Sequence, residues 1–172
     1  MKTRLSIREI ALFGMFGALM YASKELMAVL PNIHLIGVFF TAYTVVYRKK
    51  ALFPIYIFTF LEGLFNGFNL WWIPYLYIWT VLWGAVMLLP KQMGKRARII
   101  VYAAVCGLHG ILYGTLYAPF QALAFGLSFK GTIAWIAAGL PFDLIHGLSN
   151  LVLGFLIVPI TAVLKKLNRQ IQ

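Results

Sequence analysis

Glu25, Glu62 and Asp143 are three of only four acids in the 172 residues, and His34, His109 and His146 are the only histidines. Amides at Asn66, Gln121 and Asn150, and aromatic faces at Trp72, Tyr75 and Tyr117, complete the groups able to do polar chemistry in long apolar surroundings. Asp143, His146 and Asn150 are spaced by three, four and seven positions, which on a helix puts them on one face. Such a set can grip a polar ligand, carry a proton or activate a nucleophile. Activation is poorly supplied. His146-Gly-Leu-Ser149 has the outline of a serine nucleophile segment with His109 as a base, yet Asn150 stands where an intramembrane serine hydrolase wants glycine. No His-Glu-x-x-His pair occurs, so hydrolytic zinc chemistry is not encoded. Cys106 is alone inside an apolar run, which rules out a disulfide framework and a cysteine-based zinc site. No G-x-x-x-x-G-K-[ST] loop is present to cradle a nucleotide's phosphates. Binding, rather than catalysis, is the chemistry these residues favour, with no resident cofactor.

The elements that must position them follow from composition. The chain is 62% hydrophobic and 11% charged, with mean hydropathy +0.87. A soluble domain carries about 25% charge, and one this small has too much surface to hide so much apolar side chain from water. The bilayer is therefore the solvent. The absence of a polar or Pro/Gly/Ser-rich linker predicts a single domain over residues 1–172. No removable signal peptide is expected, because membrane-type sequence continues past Lys24-Glu25. The net charge of +11 would suggest nucleic acid in a soluble protein. Here the cations sit in clusters between apolar runs, which is the signature of orientation in a membrane.

A hydrocarbon core of ~30 Å needs about 20 apolar residues per helical crossing. Six runs qualify or nearly so: 8–23, 33–47, 51–68, 70–90, 99–125 and 139–163. The second and third are short, and Arg48-Lys49-Lys50 must be a tight turn between them, since three adjacent cations are too costly at mid-membrane. With six spans, Lys2, Arg4, Arg8, the 48–50 cluster, Lys91, Lys95, Arg96, Arg98, Lys165, Lys166 and Arg169 all fall on one side, leaving Lys24 and Lys130 on the other. The positive-inside rule then predicts an all-α bundle of six transmembrane helices with both termini cytoplasmic.

That orientation assigns a depth to each polar group. Glu25 and His34 belong to the outer connection between the first two spans, and Glu62 and Asn66 to the outer end of the third. Trp71, Trp72 and Tyr75 open the fourth, Tyr117 and Gln121 lie near the outer end of the fifth, and Asp143, His146 and Asn150 in the outer half of the sixth. Only His109 is near mid-depth. Polar groups in a bilayer face a cavity or the bundle interior, so their clustering predicts a polar pocket opening outward. Each residue has a plainer reading beside this one. Trp and Tyr at helix ends anchor proteins at the interface. Glu62 can pair with Lys24 or cap a helix end, His109 can be a packing residue, and Asp143, just after Pro141, can be a first-turn acid favoured by the helix dipole. Gly107, Gly110, Gly114 and Gly126 would let another helix or a ligand approach the fifth span closely. Gly14, Ala18 and Ala22 recur every four residues as a flat stripe on the first span, suited to packing within the chain or against a partner.

The chain resembles the S components of energy-coupling factor (ECF) transporters over nearly its whole length. The likeness is carried by the length and six spans, by Ala18-Leu-Met-Tyr-Ala22, by the short-helix, basic-turn, short-helix unit HLIGVFFTAYTVVYRKKALFPIYIFTFLEGLFNGF, and by a last helix opening Leu140-Pro-Phe-Asp143 with a basic tail. The resemblance implies a non-enzymatic subunit of a bacterial plasma membrane that captures a vitamin or related micronutrient near the extracellular side. It further implies that the Ala-x-x-x-Ala stripe, with Gly14 extending it, docks on a transmembrane coupling subunit, the T component. Two ATPase subunits elsewhere in the complex would then drive uptake as the loaded subunit topples in the lipid bilayer. The absence of an acid on the fourth span argues against a thiamine-type pocket, and aromatic walls with a few acids and amides suit a flat, partly polar ring. Two other classes fit the sequence: an assembly scaffold of the cell envelope, and an intramembrane hydrolase of the rhomboid kind using Ser149.

Overall fold

The computed structural model describes residues 5–171; Lys2 and Arg4, two of the cations sorted to the basic side above, lie outside it. Regular structure among the described residues is entirely helical. Helix α1, Ile7–Leu26, opens with a capping box: the Ser6 hydroxyl accepts from the Glu9 N–H at 3.2 Å, and the Glu9 carboxylate accepts from the Ser6 N–H at 3.0 Å. Glu9 also pairs with Lys50, which pins the start of α1 to the turn that follows α2.

Helix α2, Ile36–Tyr47, is apolar all round and buried along most of its length, including Val38, Phe40, Ala42 and Tyr43. An all-apolar helix of 12 residues, ~18 Å long, is too short to face lipid across a bilayer core and is stable when other helices enclose it. Here α8, α4, α5 and α1 surround it. The basic turn after it is a 3₁₀ segment, Arg48–Ala51. Arg48 takes φ +53°, a left-handed conformation that costs about 1–3 kcal/mol for a residue with a side chain. Two contacts hold it there: its guanidinium donates to the Met87 carbonyl at 2.9 Å, and the Trp83 indole donates to the Arg48 carbonyl at 3.1 Å.

Helix α3, Leu52–Asn66, packs on α1, where Gly17 lets the backbones close: an added Cβ there would come 3.3 Å from the Phe58 backbone nitrogen. A 3₁₀ turn, Leu70–Trp72, leads into α4, Tyr75–Leu88. Then come α5, Lys95–Ile111; α6, Tyr113–Phe125; α7, Phe129–Leu153; and, after a 3₁₀ turn over Gly154–Leu156, α8, Ile157–Ile171. Three stretches are long and apolar enough to cross a membrane: Leu70–Leu88, Lys95–Phe125 and Phe129–Gln170. Large apolar side chains such as Leu88, Leu123 and Phe129 stand more than four-fifths exposed, as suits a molecule whose solvent is lipid.

Three sequence expectations need correction. The last helix does not open at Leu140-Pro-Phe-Asp143; α7 begins at Phe129, and Pro141 and Asp143 lie in its interior. The segment 126–138, read as a connection, is a three-residue turn followed by helix. Gly126 ends α6 at φ +63°, and the Ser128 hydroxyl caps α7 by accepting from the Gly131 N–H at 3.2 Å. Nor does this last helix end at 163, since α8 carries it through Lys165, Lys166 and Arg169. The fifth run is likewise two helices, α5 and α6, broken at Leu112.

The bundle has two distinct ends. Arg48, Lys91, Lys95, Arg98 and Lys165 gather around one cavity at the first end, and Lys24, Glu62, Tyr75, Tyr113 and His146 around another at the second. Helices α1, α3 and α5–α6 lead away from the basic end, and α2, α4 and α7–α8 return to it.

Candidate functional site

The cavity at the second end has a volume of about 460 Å³. Its rim is the connection from α1 to α2, residues Met27 to His34, together with Lys24 and Glu25. Asn32 lets that loop turn by adopting φ +61°, a conformation asparagine tolerates better than most side chains. The loop is fastened to α7 by Ser149, whose hydroxyl lies 3.1 Å from the Asn32 carbonyl and 2.9 Å from the His146 carbonyl. Ser149 therefore meets backbone oxygens rather than a histidine ring.

The inner wall is aromatic. Trp71 and Tyr75 meet edge to face at 5.4 Å between centroids, Tyr113 and His146 at 5.2 Å, and His146 and His34 at 4.8 Å. These rings come from four elements: the turn before α4 with α4 itself, α6, α7 and the rim loop. Glu62, fully buried near the end of α3, pairs with Lys24 of α1 through one carboxylate oxygen. Its other oxygen, Oε1, is buried without a hydrogen-bond partner, and so are His34 Nδ1 and His146 Nε2. Burial, with the Lys24 ammonium nearby, pushes the His34 imidazole down to about 4, so it is neutral near pH 7 and can donate or accept one hydrogen bond. The lining combines flat aromatic faces with one carboxylate and two imidazole side chains, each holding a buried polar atom without a protein partner.

Six of the residues singled out in the sequence line this cavity: Glu25, His34, Glu62, Asn66, Tyr75 and His146. Six others lie elsewhere. Trp72 turns its indole away to donate to the Thr59 carbonyl at 2.6 Å, and its neighbour Trp71 lines the cavity instead. His109 is buried beside α4 with Nε2 3.1 Å from the Ile78 carbonyl, as a packing residue would be. Tyr117 donates to the Trp71 carbonyl at 3.1 Å and so braces the wall from behind. Gln121 is half-buried on α6, beyond the lining. Asn150 is buried in the core, where α2 passes closely: a Cβ added at Gly37 would lie 3.3 Å from its Nδ2.

Asp143 serves a helix N-terminus, but not its own. Both carboxylate oxygens sit 3.1 Å from the Gly114 N–H, in the first turn of α6, where the break at Leu112 leaves backbone donors without helical acceptors. The negative charge caps α6 from the side. Helices α5 and α7 touch at glycine: a Cβ added at Gly110 would lie 2.8 Å from Gly147 Cα, and one at Gly107 3.2 Å from the Gly147 carbonyl. Gly126 takes no part in this contact and ends α6 instead.

Lys24, Asn32 and Tyr113 line the cavity without having been singled out for it. Two of them left a signal. Lys24 is one of two cations on the wrong side of the charge sorting, and Tyr113 stands four residues after His109 on the same helical run.

The small-residue stripe on α1 also has a definite place. Gly17 is consumed by packing on α3, whereas Ala18 and Ala22 are exposed and a Cβ at Gly14 would meet nothing within 4 Å. No group of three or more His, Cys, Asp or Glu side chains able to hold a metal ion occurs among the described residues.

Fold and site together define a helical bundle of membrane character with an aromatic, partly polar cavity at the end opposite its basic cluster. Comparison with protein-family models, curated proteins and solved structures gives no match.

Proposed function

We propose that this chain is a substrate-binding membrane subunit of an importer, of the kind its sequence resembles: an S component that captures a vitamin-like micronutrient on the outer side of a bacterial plasma membrane. In this reading all six passes span the bilayer, both termini and the basic end face the cytoplasm, and the aromatic cavity opens outward. The observation that carries the reading is that Glu62, His34 and His146, each with a buried side-chain polar atom that has no protein partner, all line one cavity. Buried polar atoms are normally satisfied, and a ligand with matching donors and acceptors would satisfy these three. The ligand class is a flat, polar-edged ring, held between Trp71, Tyr75 and Tyr113 and closed over by the loop through Asn32 and His34. Energy would come from partner ATPases, with the face of exposed Ala18 and Ala22 and half-buried Gly14 docking on a coupling subunit.

An envelope scaffold would use that same exposed face, so the face does not choose between the two. The cavity does. Trp71 in its wall makes intrinsic fluorescence a direct reporter. Titrating the detergent-solubilised protein with a panel of heteroaromatic micronutrients should give a saturable emission change for one compound. His146→Ala should abolish it. A flat response across the panel would favour the scaffold.

A further inference from the structure

The positive-inside bias accounts for cations being at one end of the bundle, but not for their convergence on a single cavity there. Arg48 from the 3₁₀ turn, Lys91 from the connection before α5, Lys95 and Arg98 from the first turn of α5, and Lys165 from α8 line one volume of about 500 Å³ with no acid among its walls. Lys49, Arg96, Lys166 and Arg169 share that end and do not line it, and Lys50 is taken by Glu9. Two further features mark the site as built. Thr161, only 6% exposed, is a lining residue whose hydroxyl has no protein partner, and Arg98 Nε is likewise buried and unpartnered. Helix α5, 17 residues long, has Gly94 at its N-cap and so no side chain to cap it, which leaves N–H groups free in the same first turn that carries Lys95 and Arg98. Cations brought together repel one another, and a bound anion reverses that sign. Arg and Lys at a free helix N-terminus, with a hydroxyl beneath, match the donor geometry of a phosphate group. Val45, Val86 and Val158 supply an apolar side to the same cavity.

We infer that the convergence of Arg48, Lys91, Lys95, Arg98, Lys165 and Thr161 on one cavity forms a binding site for a phosphate-bearing anion, separate from the aromatic cavity at the other end. The phosphate can come from an anionic phospholipid headgroup, whose chains the valines would meet, or from a soluble phosphate compound. The test has two arms. Delipidated protein is examined by native mass spectrometry with phosphatidylglycerol or phosphatidylcholine of equal chain length, and by thermal unfolding with inorganic pyrophosphate. Each is repeated on Lys95→Ala/Lys165→Ala and on Lys49→Ala/Lys166→Ala, which loses the same charge outside the cavity. The site predicts preferential phosphatidylglycerol adducts, a pyrophosphate-induced rise in Tm, or both, weakened about tenfold in the first variant and little changed in the second. Adducts alone identify the lipid as the source, and a Tm rise alone a soluble phosphate. Thr161→Val, which keeps the volume, should weaken binding by about twofold and stands in if the double variant does not fold. Equal loss in both double variants, or binding of neither probe by the unmodified protein, would overturn the inference.

Discussion

Asp143 and His146 stand one helical turn apart on α7, yet they serve different ends. Spacing tells which residues share a helical face, and it says nothing of what faces them: α6 at Asp143, the cavity at His146, and the close-packed core beside Asn150. That is why the trio was legible as a set while only one member reached the cavity. Asp143→Ala should therefore cost about 1 kcal/mol, as loss of a helix cap does, seen as a lower Tm with ligand selectivity unchanged. Glu62→Gln should act on both properties. It removes the charge facing Lys24, whose side chain is 29% exposed, so the stability loss is nearer about 1–2 kcal/mol than that of a fully buried pair, and it leaves one amide oxygen in place of the two carboxylate oxygens of a cavity-lining residue. Ligand affinity should fall more than Tm in that variant and less than Tm in Asp143→Ala. His34 gives a pH dependence of fixed sign. With its imidazole held down to about 4, it stays neutral in the folded protein while the unfolded chain takes up a proton near 6.5. Stability is thus fully present above about pH 6.5 and is lost as pH falls toward 4. Protection of the 27–35 loop amides against hydrogen exchange should fall over that window, and should fall less in His34→Gln.

At the scale of elements, much was legible. The cation clusters marked the turn at 48–50 and the connection before α5, where Lys91 precedes the helix and Lys95, Arg96 and Arg98 open it, and the apolar runs marked the helix bodies. The errors lay at the last connection, where apolar length was weighed and the punctuation at Gly126 and Ser128 was not; those two residues end α6 and start α7. Pro141 drew the boundary to the wrong place because proline usually opens or breaks a helix, whereas α7 carries it in its interior. The two sets of small residues also separate here. Gly110→Ala pushes a methyl to 2.8 Å from Gly147 Cα and should destabilise the α5–α7 contact by about 1–3 kcal/mol, measured by thermal unfolding. Gly14→Ala meets nothing within 4 Å and should be neutral or raise stability by about 0.5–1 kcal/mol through helix propensity. Ala18→Leu with Ala22→Leu, on the same exposed face, should leave Tm and ligand binding intact in the isolated protein while abolishing uptake in cells.

For the molecule as a whole, the sorting of charge and the position of the two cavities describe the same axis. The basic cluster is gathered at one end, and the aromatic cavity with its free polar atoms lies at the other. The proposed orientation can be mapped in a Cys106→Ala background, where membrane-impermeant thiol reagents should label intact cells at Ala28→Cys and Gly126→Cys but reach Lys49→Cys and Gly94→Cys only after permeabilisation. What sequence could not supply is the identity of the ligand, because a pocket assembled from α1, α3, α4, α6 and α7 is a property of their packing and not of any one motif. The central claim is that the cavity holds one small molecule. Its most direct test is mass spectrometry of compounds that copurify with the protein, run beside a His146→Ala/Tyr75→Leu variant of confirmed thermal stability. One compound retained at close to one per chain, and absent from the variant, is the predicted result. No retained compound after growth with a mixed vitamin supplement, or equal retention by the variant, would contradict it.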